Sequence, residues 1–177
     1  LKEFWEDLKF LFIKVIHESF TKKSLPPSQK WGNISLIPKG DKDKLELKNW
    51  RPLTLLPAFY KLVSGTLANR MSKTLPYIVE ADQQGFVSGR NISECLRTTI
   101  DLIEYVNRNR VETLMVCIDF KKAFDSLDHD FIISVLNKFG FGPNFVTWVK
   151  TLLDDFKMRV LNGGSPGDHF ASERGAR

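Results

Sequence analysis

The chain has little of what marks secreted, membrane or zinc-bound proteins. Its 177 residues include two cysteines, Cys95 and Cys117, without Cys or His neighbours at metal-ligand spacing. That argues against a disulfide framework and a structural zinc, and both thiols are expected to be reduced core residues. No apolar run approaches the roughly 20 residues that cross a bilayer. The N-terminus lacks a charged segment, an apolar segment and a small-residue cleavage site, so an intracellular chain is expected. No Gly-Lys-Ser/Thr follows Gly163-Gly164, which removes a phosphate loop there. His17 has no partner at helical metal-binding spacing and reads as a surface residue.

What is present suits a globular domain. The composition is 42% hydrophobic and 27% charged, enough apolar material for one substantial core and too much for disorder. Net charge is +5, unevenly spread: residues 1–110 hold 18 Lys and Arg against 12 Asp and Glu, whereas 111–177 hold 8 against 9. A basic first part and an acidic centre suit a polyanion held by one region and a cation by the other, although a solvated basic surface has the same pattern.

The chain centres on Thr113-Leu-Met-Val-Cys-Ile-Asp119-Phe-Lys-Lys-Ala-Phe124-Asp125. Leu114 to Ile118 form the apolar run of a strand buried on both faces, and the run ends at a carboxylate. A strand-tip Asp can hold Mg²⁺ in a cleft, with substrate phosphates completing the shell; it can equally cap the next turn. Phe124, five residues on, is placed for a turn to bring its ring beside that carboxylate.

Ile118-Asp119-Phe-Lys-Lys-Ala-Phe124-Asp125, with Asp128-His129 after it, resembles the first catalytic motif of reverse transcriptases of non-LTR (LINE-type) retrotransposons. The resemblance implies that Asp119 binds the catalytic metals, and that Phe124 stacks under the incoming sugar and excludes a 2′-hydroxyl. Asp125 is assigned structural support, and Asp128, His129 and Asp130 read as a capped helix start.

The remaining chain is consistent with that resemblance. Residues 2–20 carry an amphipathic helical stripe that opens without a cap, which hints at a longer protein, and Leu25-Pro26-Pro27 ends it. Residues 31–38 and 49–56 read as limbs of a hairpin around a charged turn, with Pro52 at a sheet edge. By residue type Lys39 and Arg51 are surface cations; the resemblance of Ile37-Pro38-Lys39 and Asn49-Trp50-Arg51-Pro52-Leu53 to the polymerase fingers implies that they grip the incoming triphosphate.

Asp82-Gln83-Gln84-Gly85-Phe86-Val87-Ser88-Gly89-Arg90 is similar to the family's template-strand segment, with Arg90 as phosphate contact and Phe86 expected in the core. A helix over 92–106 is expected beneath the central strand, and further helices near 131–139 and from Pro143. A strand is expected at 157–161, with a returning strand from 169. Arg174-Gly175-Ala176-Arg177 resembles the opening of the next family motif.

The expected fold is α+β: right-hand polymerase fingers plus an incomplete palm, with helices on a small, mostly antiparallel sheet. Residues 1–24 form a preceding helix, 25–110 the fingers-like region and 111–177 a partial palm. The family's second carboxylate motif, an Ala-Asp-Asp hairpin, is missing; Asp154-Asp155 is the only Asp pair and falls in an expected amphipathic helix. The resemblance implies an RNA-directed DNA polymerase fragment, inactive alone. It also implies two Mg²⁺ (or Mn²⁺) ions in the parent, RNA template, DNA primer and dNTP as partners, and the remainder of a polyprotein. Two alternatives stay open: a non-catalytic nucleic-acid-binding module, and a phosphotransferase with Asp119 as nucleophile. The latter lacks the second Asp that haloacid-dehalogenase-like enzymes carry two residues on, since position 121 is Lys.

Overall fold

The computed structural model describes residues 3–175. They form two compact units, one taking in the chain up to Gly65 and again from Phe124, the other Thr66–Ala123.

In the first unit, helix α1 (Trp5–Lys22) starts without a side-chain cap and ends at Lys23 in the left-handed region. Phe12 packs edge-on against Phe59, ring centroids 5.1 Å apart, and Phe20 lies 5.6 Å from Trp148. Strands β1 (Trp31–Pro38) and β2 (Trp50–Leu55) form the expected antiparallel hairpin, with Pro52 in the edge strand, where its missing N–H costs no ladder bond. After α2 (Ala58–Ser72), which runs into the second unit, the first unit resumes with α5 (His129–Lys138) and α6 (Pro143–Leu153). Next come β3 (Lys157–Asn162), β4 (Ser165–Pro166) and β5 (Phe170–Ala171). β3 lies parallel to β1, from Trp31 opposite Lys157 to Ser35 opposite Leu161; β4 and β5 pair with it antiparallel. The α+β expectation and the mostly antiparallel sheet both hold, with one parallel pairing.

Phe156 locks the sheet to the helices. It is 2% exposed, its ring stands edge-on to Tyr60 at 5.1 Å, and Tyr60 in turn donates from its hydroxyl to the Leu152 carbonyl at 3.1 Å. The other side of the ring rests on Gly32, where a Cβ would lie 3.0 Å from Phe156 Cε1 and 3.3 Å from Thr54 Cγ2. A Cβ at position 32 would need the Phe156 ring to give way by a few tenths of an ångström. The α6–β3 turn also carries Asp154-Asp155, which therefore lies beyond α6 rather than within it. Asp155 accepts from Lys30 Nζ at 3.0 Å, tying this turn to the approach to β1.

The second unit holds the last turns of α2, the short α3 (Leu75–Ile78) and α4 (Ile92–Asn109), capped by the Asn91 side chain accepting from Ser93 N. Two expectations fail here. Residues 111–120 form neither helix nor strand, and Leu114 is 87% exposed. The stripe of α4 is likewise unburied: Leu96, Leu102 and Ile103 are exposed. The reason is one and the same. A strand buried on both faces needs neighbours on both edges to take its N–H and C=O groups, and among the described residues no strand pairs with 114–118. The run and α4 do line a common open groove of about 400 Å³ (Leu102, Ile103, Val106 and Thr113 to Val116). Cys95 and Cys117 are free, as expected, but exposed rather than in the core.

Two outcomes follow. Phe156→Ala should lower unfolding free energy by about 3–5 kcal/mol, read by urea denaturation, because the collapsed site loses contacts on both sides. The hydrogen bond and charge of Lys30 hold the Asp155 carboxyl below its ordinary value. Its contribution is therefore present above the unfolded value of about 3.9 and is lost as pH falls through the lower folded value. The stability difference between the parent chain and Asp155→Asn should be present at neutral pH and fade in unfolding curves as pH falls below the ordinary carboxylate range.

Candidate functional site

The β1–β2 register decides where the two hairpin cations lie. Ile37 faces Arg51 across the strands, and the Lys39 N–H extends the ladder to the Asn49 carbonyl at 2.8 Å. Lys39 is two residues past Ile37, so it and Arg51 are diagonal neighbours on one face of the hairpin end. Lys39 Nζ donates to the Lys48 carbonyl at 2.6 Å, while Arg51 is exposed. The connecting loop is tied down by its own side chains: Asp43 accepts from Leu45 N, Asn49 Nδ2 donates to the Asp43 carbonyl, and Trp50 Nε1 to the Lys44 carbonyl. An open cavity of about 710 Å³ is lined by residues including Leu36, Leu47, Trp50 and Val160. Neither Lys39 nor Arg51 lines this cavity.

Asp119 lies in the irregular stretch of the second unit and is exposed, not presented at the tip of a buried strand. Phe124 belongs to the first unit and is 58% exposed. The expected helix start after it is present: the Asp128 carboxylate accepts from Asp130 N at 2.9 Å and Phe131 N at 3.2 Å. The same turn also holds the chain end, a contact invisible in the sequence. The backbones of Asp128 and Arg174 pair antiparallel at a single position, Gly175 N donates to the Leu127 carbonyl at 2.7 Å, and His129 Nε2 lies 3.1 Å from the Gly175 carbonyl. Gly175 is buried with φ +97, a backbone conformation that favours glycine, and a Cβ there would make a tight 3.2 Å contact with the Asp125 carbonyl oxygen. The two motif-like stretches thus touch; nothing in residue spacing links positions 46 apart. Ala176 and Arg177 lie outside the described residues.

Arg90, expected on a phosphate, has its guanidinium on backbone. Nη1 donates to the Glu80 and Gln83 carbonyls, and Nη2 to those of Pro76 and Val79 at 3.2 and 2.8 Å. Four of its five N–H donors are thereby used, closing the turn after α3. Phe86, expected in the core, is instead 89% exposed with φ +63; its neighbour Val87 is the buried one. A core reading follows from hydrophobicity alone and misses that the turn, not the residue type, sets which side chain points inward.

A family model described as reverse transcriptase (RNA-dependent DNA polymerase) matches residues 37–177. The chain belongs to the reverse transcriptase family. It is 34% identical over 174 residues to the "Transposon TX1 uncharacterized 149 kDa protein" of Xenopus laevis, covering 98% of this chain and 13% of that protein. It is 28% identical over 160 residues to the "Probable RNA-directed DNA polymerase from transposon BS" of Drosophila melanogaster (88% and 18%). To the "Retrovirus-related Pol polyprotein from type-1 retrotransposable element R2" of Popillia japonica it is 27% identical over 147 residues (81% and 20%). The chain thus spans no more than a fifth of the length of these relatives, which are proteins of non-LTR retrotransposons.

Reverse transcriptases work with divalent metal ions on nucleic acid and nucleotides. Among the described residues no three His, Cys, Asp or Glu side chains gather as a candidate metal-binding group. Asp155 is paired with Lys30. No described helix is long and apolar enough to cross a membrane. In this reverse transcriptase segment the Arg90 clamp is the most concentrated use of a cation. Arg90→Lys, a point charge unable to span four carbonyls, should cost about 1–3 kcal/mol and speed amide exchange across residues 76–90, measured by hydrogen exchange.

Proposed function

We propose that this chain supplies the nucleotide-gripping fingers and the first metal-binding carboxylate of an intracellular RNA-directed DNA polymerase within a larger retrotransposon polyprotein. In that reading Lys39 and Arg51 hold the triphosphate of the incoming dNTP, Asp119 is a ligand of Mg²⁺, and Phe124 lies against the sugar. The whole enzyme extends a DNA 3′ end on an RNA template. Arg90 serves the template segment by fixing its backbone. The observation that carries the reading is the hairpin register, which sets a flexible ammonium and a planar guanidinium diagonally on one face. A triphosphate is recognised by that pairing of a point charge with a bidentate fork. The metal supplies charge neutralisation at the phosphates when bound. This chain's own part is to orient the triphosphate through Arg51 and to offer the Asp119 carboxylate.

The test is binding of 2′-deoxyadenosine triphosphate to this chain, with and without Mg²⁺. Arg51→Gln should weaken it about tenfold or more, the worth of a charge-assisted hydrogen bond pair, and Asp119→Asn should remove only the Mg²⁺-dependent part. Affinity unchanged in Arg51→Gln would overturn the assignment. Primer extension by this chain alone should give no product; metal-dependent synthesis lost in Asp119→Ala would show the carboxylate set to be sufficient. The exposed position of Asp119 in an irregular stretch, not at a strand tip, is the observation behind a second reading, a non-catalytic nucleic-acid-binding module. It is distinguished by salt-sensitive RNA binding that ignores Asp119→Asn.

A further inference from the structure

Helix α1 lies ahead of residues 37–177, the part that matches the family model, and it packs with only part of its surface. Phe12 and Phe20 reach Phe59 and Trp148, and Ser19 is buried. A second apolar stripe runs beside that face. It starts with Phe4 at the N-cap and continues through Leu8, Leu11 and half-buried Val15, spaced four, three and four residues apart like one seam of a coiled coil. Phe4, Leu8 and Leu11 are 58%, 41% and 60% exposed. Glu18 and Lys22, the next two positions of the stripe, pair with each other at 3.4 Å and end it. Large apolar side chains aligned on a helix in this way mark an interaction face.

The charges beside the stripe select what covers it. One flank carries Asp7 and Lys14, seven residues apart and both exposed. Neither forms an ion pair with another described residue, whereas Lys9 pairs with Glu6 and Lys22 with Glu18. The opposite flank holds Trp5, Phe12 and Ser19, the side on which α1 meets its own unit. Two copies of α1 laid antiparallel about a two-fold axis bring like flanks together. Leu8 then meets Leu11 of the second copy, Phe4 meets its Val15, and Asp7 meets its Lys14, each contact made twice. The midpoint of the apolar pairings falls between Lys9 and Phe10 and that of the charge pairing between Phe10 and Leu11, so one axis serves them all. A parallel pair offers Asp7 and Lys14 no such match, because it sets their flank against the one turned to the unit.

We propose that the outer stripe of α1 is a self-association surface on which a second copy of this chain docks antiparallel, with Leu8 on Leu11 and Asp7 on Lys14. A single seam of four residues falls short of the roughly 800 Å² per partner of a standard stable interface, so the pair is weak and depends on concentration. The inference stands apart from the polymerase reading.

The test is sedimentation equilibrium at rising protein concentration and low salt, where the unaltered chain should pass from monomer to dimer. Leu11→Glu should stay monomeric throughout and keep its thermal midpoint, since Leu11 is exposed. Asp7→Lys and Lys14→Asp should each weaken association about tenfold, because two attractive contacts become repulsive. An equimolar mixture of these two variants should associate like the unaltered chain, since both contacts again join opposite charges; a variant damaged in folding would not be rescued in this way. An unaltered chain that stays monomeric would overturn the inference and leave the stripe to another part of a longer protein. Single variants that dimerise like the unaltered chain, or a mixture that does not recover, would overturn it as well. None of these outcomes bears on nucleotide binding, which is measured separately.

Discussion

The contact of the Phe156 ring with the bare backbone of Gly32 is the constraint on which the first unit depends. It brings β3 up to β1 in parallel register and turns the same ring toward Tyr60 of α2, so sheet and helix share one core residue. Tyr60 closes the arrangement by bonding the last turn of α6. The hairpin that carries Lys39 and Arg51 grows from this anchored strand, and its face is set before either cation meets a ligand. Close packing of this sort transmits position: what lies at the far end of β1 is fixed by what fits at its beginning.

The second unit is organised by hydrogen bonding rather than by a core. Arg90 gathers carbonyls left free where α3 stops and the chain turns, a task that main-chain partners would perform in a longer helix. A guanidinium used in this way is a structural device, and the positive charge it carries is turned inward. Charge counting on the sequence therefore overstates what this segment offers to phosphate. Meanwhile α4 and residues 114–118 keep apolar side chains exposed.

Much of the architecture was legible from short-range pattern. The hairpin limbs, the edge position of Pro52, the Asp128 cap and Pro143 at the first turn of α6 are all decided by neighbours within a few residues. Misreadings arose where burial had to be supplied from elsewhere. Leu114 to Ile118 has the composition of an interior strand, yet composition makes no ladder; Phe86 and Cys117 are apolar types that the turn and the missing strand leave in solvent. Family membership survives these changes because it rests on residue identity along 37–177, not on the burial of any one carboxylate.

The amino-acid order by itself determined the helices, the hairpin and the kinship, since periodicity, capping preference and motif spacing are local properties. Only the tertiary structure decided that Arg90 spends its donors on backbone, that Phe86 faces outward, and that Gly175 docks on the Asp128 turn. Each of these joins groups through space, and one-dimensional order does not say which distant carbonyl or ring will be within reach.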